Sequence, residues 1–431
     1  MALDVGSSTC RQGCNPSGCE EWVNCSRRRV LWAIPYRGRA HGRHSEADPH
    51  PFPLSVEVID REGALAPVLD EWRRLAAARG NAFLTPEWYL AALNILHRGA
   101  VPAVAVLRGG DGAVRGLFPF VDVGSSRGRR LISFPGTRFG DIFHPVAEQR
   151  DEVEVAAAVA PALARHVGAR CRFDLGRVGF GAGWWRELAR AWPGRMTVVA
   201  QPEEVLPYIA LDGFDWQGYL ATRSGQFRSQ LKRKMRSLER DHEVRLRRSE
   251  TAEEVSNDLD THFDLHDARW EERPGASSFA NLEARDLHRA FAVAAHEHGW
   301  LRLYLLEVDG AAAAAWYGWH VGDRFSYYQA GFDPAWSRYS VGFLLLAETV
   351  REGIVEEAAA YDMLVGDEAF KARFATGERL GSSVLLAPPI SRMRIAASVK
   401  RVARSGWVAM PGEARDRIRT LRQRIRSSRG D

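Results

Sequence analysis

The alternation of apolar and polar positions is sharpest between Leu301 and Ala387. Three strand-like runs, Leu301–Val308, Ala311–Val321 and Arg324–Gly331, are separated by Asp309-Gly310 and Gly322-Asp323. Asp-Gly between apolar runs is a hairpin turn signal, so the three runs form an antiparallel meander. A helical run from Val341 to about Glu357 follows, then a short strand Tyr361–Val365, a short helix Asp367–Thr376 and a last strand Ser383–Leu386. The predicted order is β-β-β-α-β-α-β.

The earlier part of the chain repeats much of this order. Leu54–Ile59 reads as a strand, and Gly63–Arg79 as a helix with Leu65, Val68, Leu69, Trp72 and Leu75 at helical spacing. Thr85 caps the next helix, with Pro86 at its first position and Trp88, Leu90, Leu93 and Leu96 on its apolar face. Val101–Leu107 and Arg115–Val123 form a hairpin; strand Arg130–Phe134, helix Val153–His166 and strand Arg172–Leu175 follow. Asp141 and His144, in the loop 136–145, are read as solvating that loop rather than facing a cleft between halves. Trp184, Trp185 and Trp192 are read as packing. Val198–Val199 and Tyr208–Leu211 join the halves, and helices over Gln226–Arg240, Val255–Glu271 and Ala284–His298 lead into the meander.

A chain of 431 residues is too long for one ordinary core, which predicts two domains with tails. No apolar run reaches a membrane span and no signal-peptide pattern opens the chain, so the expected compartment is the cytoplasm. The net charge of +5 is uneven: residues 389–431 carry 12 Arg/Lys against 3 Asp/Glu. Two apolar stripes there, Ile395/Val399/Val402 and Ile418/Leu421/Ile425, suit peripheral contact with an anionic membrane surface or nucleic acid, against a loose tail or a helix docked on the protein. Cys10, Cys14, Cys19 and Cys25 match no common zinc spacing, and residues 1–50 read as a disordered leader with no metal.

The candidate chemistry gathers where the meander meets its helix. A helix opening at Arg338-Tyr-Ser-Val-Gly-Phe presents backbone N–H groups from about Ser340 to Leu344, and these with the helix dipole suit a diphosphate. Ser340 is the expected N-cap, Gly342 permits close approach, and Arg338 meets the anion; Val341 and Phe343 complete the proposed donor-binding set. Asp362, Glu368, Lys371 and Tyr328 are the candidate catalytic residues. Tyr327 and Tyr328 point to opposite sheet faces, so one faces the cleft. His320 is a further candidate base. His266 and Arg269 share a helix face; with Trp270, and with Lys232 and Arg236 of the basic run QFRSQLKRKMRSLER, they form the expected substrate-binding set.

These features resemble the GNAT acyltransferase superfamily, and more closely its CelD-like acetyltransferase branch and the related Fem-type peptidyl transferases. The residues that carry the likeness are Gly331-Phe-Asp-Pro334, Arg338-x-Ser340-x-Gly342-x-Leu-Leu345, and Tyr361-Asp-Met-Leu-Val-Gly366-Asp-Glu-Ala-Phe-Lys371-Ala-Arg-Phe374. The resemblance implies an α/β (α+β) fold of two tandem GNAT-like halves, each a mixed, mostly antiparallel sheet flanked by helices. The first, degenerate half spans 54–200, the second 205–388, and a basic amphipathic tail 389–431. It implies an acyl-CoA-dependent N-acyltransferase acting on an amino sugar, a cell-envelope precursor or a small amine. The helix start would hold the pyrophosphate and splayed strands the pantetheine arm; Lys371 would contact the donor or stabilise charge, with Glu368 orienting it. Val341 replaces a frequent Pro, and Leu344 stands where a second small residue is usual. Fem-type relatives take aminoacyl-tRNA instead, so tRNA remains an alternative partner, as does a non-catalytic GNAT-fold binding protein.

Overall fold

A computed structural model describes residues 54–126, 129–179, 181–201, 203–270, 279 and 281–389. The cysteines at 10, 14, 19 and 25, the leader and the basic tail beyond 389 lie outside these. The first half runs β1 (Ser55–Ile59), α1 (Leu69–Ala78), α2 (Pro86–Leu96), β2 (Val101–Arg108), β3 (Val114–Ser126), β4 (Arg129–Ser133), β5 (Val146–Ala147), α3 (Glu152–Val167), β6 (Arg172–Gly179), α4 (Trp184–Ala191) and β7 (Thr197–Ala200). Then come β8 (Glu204–Ala210), α5 (Trp216–Ala221), α6 (Gly225–Asp241), β9 (Val244–Arg248), α7 (Ala252–Trp270) and α8 (Leu282–Glu297). The meander is β10 (Leu301–Val308), β11 (Ala311–Val321) and β12 (Arg324–Phe332), followed by α9 (Val341–Val355), β13 (Ala360–Asp362), α10 (Ala369–Phe374) and β14 (Gly377–Ala387).

Fourteen strands among the described residues make one mixed sheet, ordered β1-β2-β3-β4-β6-β14-β8-β13-β12-β11-β10-β9, with β5 on β3 and β7 on β14. The two halves match in topology. In the first, β4 and β6 pair in parallel across the crossover helix α3. In the second, β12 and β13 pair in parallel across α9. β14 lies between β6 of the first half and β8, antiparallel to both, and sews the sheet together.

Local chemistry explains the boundaries. Thr85 accepts the Trp88 N–H at 3.3 Å, and Pro86 opens α2 as the capping pattern predicts. α1 starts at Leu69 rather than at Gly63, because Pro67, inside the second of two short 3-10 turns (Glu62–Ala64 and Ala66–Val68), has no N–H to continue a helix from Gly63. The predicted strand to Val365 ends at Asp362, since Leu364 turns to a φ of 54° and Gly366 to 142°. β14 is far longer than Ser383–Leu386: partners on both sides supply hydrogen bonds to a stretch whose side chains carry little apolar pattern. One hydrophobic core joins the first half to α7, α8 and one face of the meander; a second lies under α6 and α9 on the other face. Trp184, Trp185 and Trp192 are buried in the first core, as read from their spacing.

α7 crosses β12 at very short range. A Cβ on Gly331 would lie 2.2 Å from the His266 backbone nitrogen, so only glycine allows this crossing. Among the described residues no helix is long and apolar enough to cross a membrane.

Candidate active site

The site is built by two strands that part. β12 and β13 pair only from Arg324↔Ala360 to Ser326↔Asp362. Beyond that, Tyr327, Tyr328 and Gln329 on one strand and Leu364 and Val365 after the other line a cleft of about 510 Å³. The β11–β12 register slips between Tyr317/Gly318, leaving Tyr328 as the extra residue of a bulge. Tyr327 packs into the α9-side core and Tyr328 into the first-half core, on the opposite faces expected of neighbours, and both reach the cleft wall.

Lys371 is only 4% exposed, so the lysine end of its pair with Glu368 is buried although the carboxylate end is half-exposed. Its ammonium donates to the Val365 carbonyl at 2.6 Å and lies 3.2 Å from Glu368 Oε2. Burial pulls the Lys371 pKa down, against the pull of Glu368, Asp141 and Asp362. Gly366 makes room for this pair: a Cβ there would fall 2.0 Å from Glu368 Oε2 and 2.7 Å from Lys371 Nζ.

Asp141 corrects the sequence reading. It does not solvate its loop; it enters the cleft wall from the first half. Its Oδ1 accepts from Arg177 at 2.8 Å and its Oδ2 from the Val365 N–H at 3.1 Å. Burial raises its pKa, and Arg177 opposes that rise. His144 is buried as well, with Nδ1 2.8 Å from the Pro145 carbonyl. No local motif marks Asp141; its role comes from the register that brings loop 136–145 beside Val365.

The Tyr328 hydroxyl donates to the Phe139 carbonyl at 3.0 Å, and His288 Nε2 lies 3.0 Å from the Tyr328 hydroxyl oxygen. The tyrosine proton is therefore spent on Phe139, and His288 donates from Nε2. Its Nδ1 is then the acceptor for the Tyr317 hydroxyl, 3.3 Å away. Burial raises the Tyr328 pKa well above its ordinary value. Asp362, by contrast, pairs with Arg379 at 3.1 Å and does not line the cleft. His320 is bound to Glu356 at 2.8 Å, at the far end of α9.

Among the substrate-side candidates, Arg269 lines the cleft and donates to the Ala330 carbonyl at 2.9 Å. It also lies over the rings of Phe332 and Phe370. His266 sits beneath, 3.4 Å from Gln329 Oε1, its pKa lowered by burial to about 4. The Trp270 side chain falls outside the described residues. Lys232 and Arg236 are not at the cleft; they project into solvent from α6, whose Phe227, Leu231 and Leu238 are buried.

At the start of α9 the five amides expected to be available reduce to two. The Ser340 N–H bonds Ser337, and those of Phe343 and Leu344 bond the Ser340 carbonyl. Val341 and Gly342 have no acceptor among the described residues. Ser340 caps through its left-handed backbone (φ 61°), not its side chain. Arg338 turns back, 2.5 Å from the Tyr339 hydroxyl, while Lys234 of α6 donates to the Arg338 carbonyl. Phe343 packs with Phe227 and Phe374 under Arg373. No acidic residue stands in the first turn of α9, whereas α3, its counterpart, opens on Glu152 and Glu154. Carboxylates there repel an anion, so of the two crossover helices only α9 suits a diphosphate.

Residues 225–372 match the family model described as an acetyltransferase (GNAT) domain. No curated protein matches the chain in sequence. Among solved structures, FemX superposes with a TM-score of 0.55 at 11% identity, over 74% of this chain and 95% of its own. The C-terminal domain (DUF2156) of a putative lysylphosphatidylglycerol synthetase from Agrobacterium fabrum gives 0.49 at 13% identity, over 78% and 96%. A tandem GNAT protein from the clavulanic acid biosynthesis pathway gives 0.40 at 12%, over 77% and 98%. The likeness to an acetyltransferase (GNAT) domain is thus carried by residues 225–372, and the fold of the chain is similar to that of FemX.

Proposed function

We propose that this protein is an N-acyltransferase that moves an acyl group from acyl-CoA to a primary amine. The observation that carries the reading is the parting of β12 and β13 into a cleft, together with two unengaged amides at the start of the helix that connects those strands. The diphosphate sits on Val341 and Gly342, Arg338 swings from the Tyr339 hydroxyl to meet it, and the pantetheine arm lies in the splay. Asp141, whose pKa burial raises, takes the proton from the attacking amine. Nitrogen bonds to the thioester carbonyl carbon, the Lys371 ammonium steadies the charge on oxygen, and the C–S bond then breaks as the proton held on Asp141 passes to sulfur, releasing the thiol. Asp141 replaces Asp362 as the base in this scheme.

Calorimetry of coenzyme A with the full chain and with Arg338→Ala tests the reading. Saturable binding, weakened several-fold in the variant, supports it; no heat at millimolar ligand sinks it. A Fem-type transfer from aminoacyl-tRNA is the second reading. It is favoured by Lys232, Arg233 and Arg236, exposed on α6 with no acidic partner among the described residues. Salt-sensitive tRNA retardation, abolished by charge reversal at these positions, is its signature. In either reading the basic tail after Pro389 tethers the protein to an anionic membrane face, which vesicle co-sedimentation of the intact chain against one ending at Pro388 decides.

A further inference from the structure

The carboxylate assigned as the base stands on a loop of the first half, and a side chain of the second half grips that loop two residues away. Loop 136–145 closes on itself at one end, where the Phe139 and Gly140 N–H groups both donate to the Gly136 carbonyl at 2.8 Å. Gly140 has no slack, because a Cβ there would lie 2.5 Å from the Phe143 ring. Asp141 comes next. Its backbone carbonyl accepts from Arg177 at 3.1 Å, and its carboxylate is shared between Arg177 and the Val365 N–H. The Phe139 carbonyl is taken by the Tyr328 hydroxyl, which projects from the bulge of β12.

The direction of this chain is fixed by its end. A carbonyl only accepts, so Tyr328 donates to Phe139 and receives the His288 Nε2 proton, while His288 Nδ1 receives that of Tyr317. All three side chains are buried, with Trp88 and Phe279 against His288 and Trp319 against Tyr328. Giving up the Tyr328 proton would leave the Phe139 carbonyl without this donor in a buried setting, which is costly. The chain is thus built to hold a carbonyl in place, not to pass a proton into the cleft.

We infer that Tyr328, oriented by His288, is a positioning residue: through the Phe139 carbonyl it sets where the Asp141 carboxylate stands at the parting of β12 and β13. A base displaced by a fraction of its working distance loses rate steeply. The inference rests on the acyl-transfer reading of the cleft, and hydrogen exchange on the full chain tests it without turnover. In Tyr328→Phe the Val365 amide, whose acceptor is Asp141, should exchange about tenfold or more faster, while amides of β10 and β11 keep their parental rates. His288→Leu should move the Val365 amide the same way, and His288→Gln, whose amide still donates to Tyr328, should recover most of the protection. The His288 pair decides the matter should Tyr328→Phe fail to fold. Thiol release from acetyl-CoA is followed in parallel. Tyr328→Phe should lower kcat about tenfold with coenzyme A affinity held, yet slow Asp141→Asn by less than twofold further, because the two act as one unit. Parental Val365 exchange in Tyr328→Phe and His288→Leu, no recovery in His288→Gln, or a full tenfold loss on top of Asp141→Asn would each overturn the inference. A parent chain that releases no thiol defeats acyl transfer instead, and the exchange rates still decide whether Tyr328 places Asp141.

Discussion

Asp141 and Val365 meet across the two halves of the chain: the Asp141 carboxylate accepts the Val365 N–H at 3.1 Å, although 224 positions separate them. The contact sets the carboxylate at the point where β12 and β13 part, beside the carbonyl that holds Lys371.

Asp141→Asn keeps an acceptor for Val365 and removes the base. Turnover should drop by about 10²-fold or more while coenzyme A affinity holds. Steady-state kinetics beside calorimetry make the comparison, and turnover within twofold of the parent would hand the proton to solvent.

Lys371→Met should lower kcat by roughly 10²-fold with little change in acceptor KM, because the charge is needed as the carbonyl oxygen becomes negative. Lys371→Arg should not rescue it: the planar guanidinium cannot occupy the buried niche between Val365 and Glu368 without displacing one of them. Single-turnover rates distinguish this from a folding defect.

Acid should destabilise the protein at an unusually high pH. Burial holds His144 at about 3, His266 at about 4 and His288 at about 3, and pushes His262 well down. The unfolded chain takes up these protons below about pH 6.5 and the fold excludes them, so their stabilisation is complete above that pH and is lost on acidification. Glu152, raised by burial to about 7 despite Arg79, runs the other way and gains stability as pH falls from 7 toward 4.5. His97, also lowered by burial, adds to the histidine side, while Asp141, Asp174 and Glu348, raised by burial, run with Glu152. The histidines titrate in the unfolded chain from about pH 6.5 downward, so the net at the start of acidification is a loss. Urea midpoints between pH 6.5 and 5.5 should fall, and His288→Gln should flatten that slope by about one proton.

Gly331→Ala should cost about 1–3 kcal/mol or more, since the new Cβ meets backbone rather than a flexible side chain. A urea midpoint unchanged by the substitution would mean that α7 lifts freely from β12.

The meander was legible because its turns are Asp-Gly pairs and its strands keep their apolar pattern; β10 and β11 match the reading residue for residue. Glu368 and Lys371 were visible as a spaced pair, though only the fold shows that the lysine is buried. β14 was mostly hidden, as its hydrogen bonds come from β6 and β8, distant in sequence. Asp141, Arg177 and the His288–Tyr328 contact were hidden for the same reason: each matters through a partner far along the chain. The α9 amides were over-counted, because a left-handed Ser340 lets one carbonyl satisfy two of them.

The placement of β14 bears on how the protein is made. Residues 377–387 leave the ribosome after the other described strands, yet they fill the seam between β6 and β8. Until they arrive, two strand edges stand open on the nascent chain, and such edges are sites for wrong pairing with neighbours. Chaperone demand during synthesis should therefore persist until residues 377–387 have emerged, since β6 and β8 both wait for the strand that joins them.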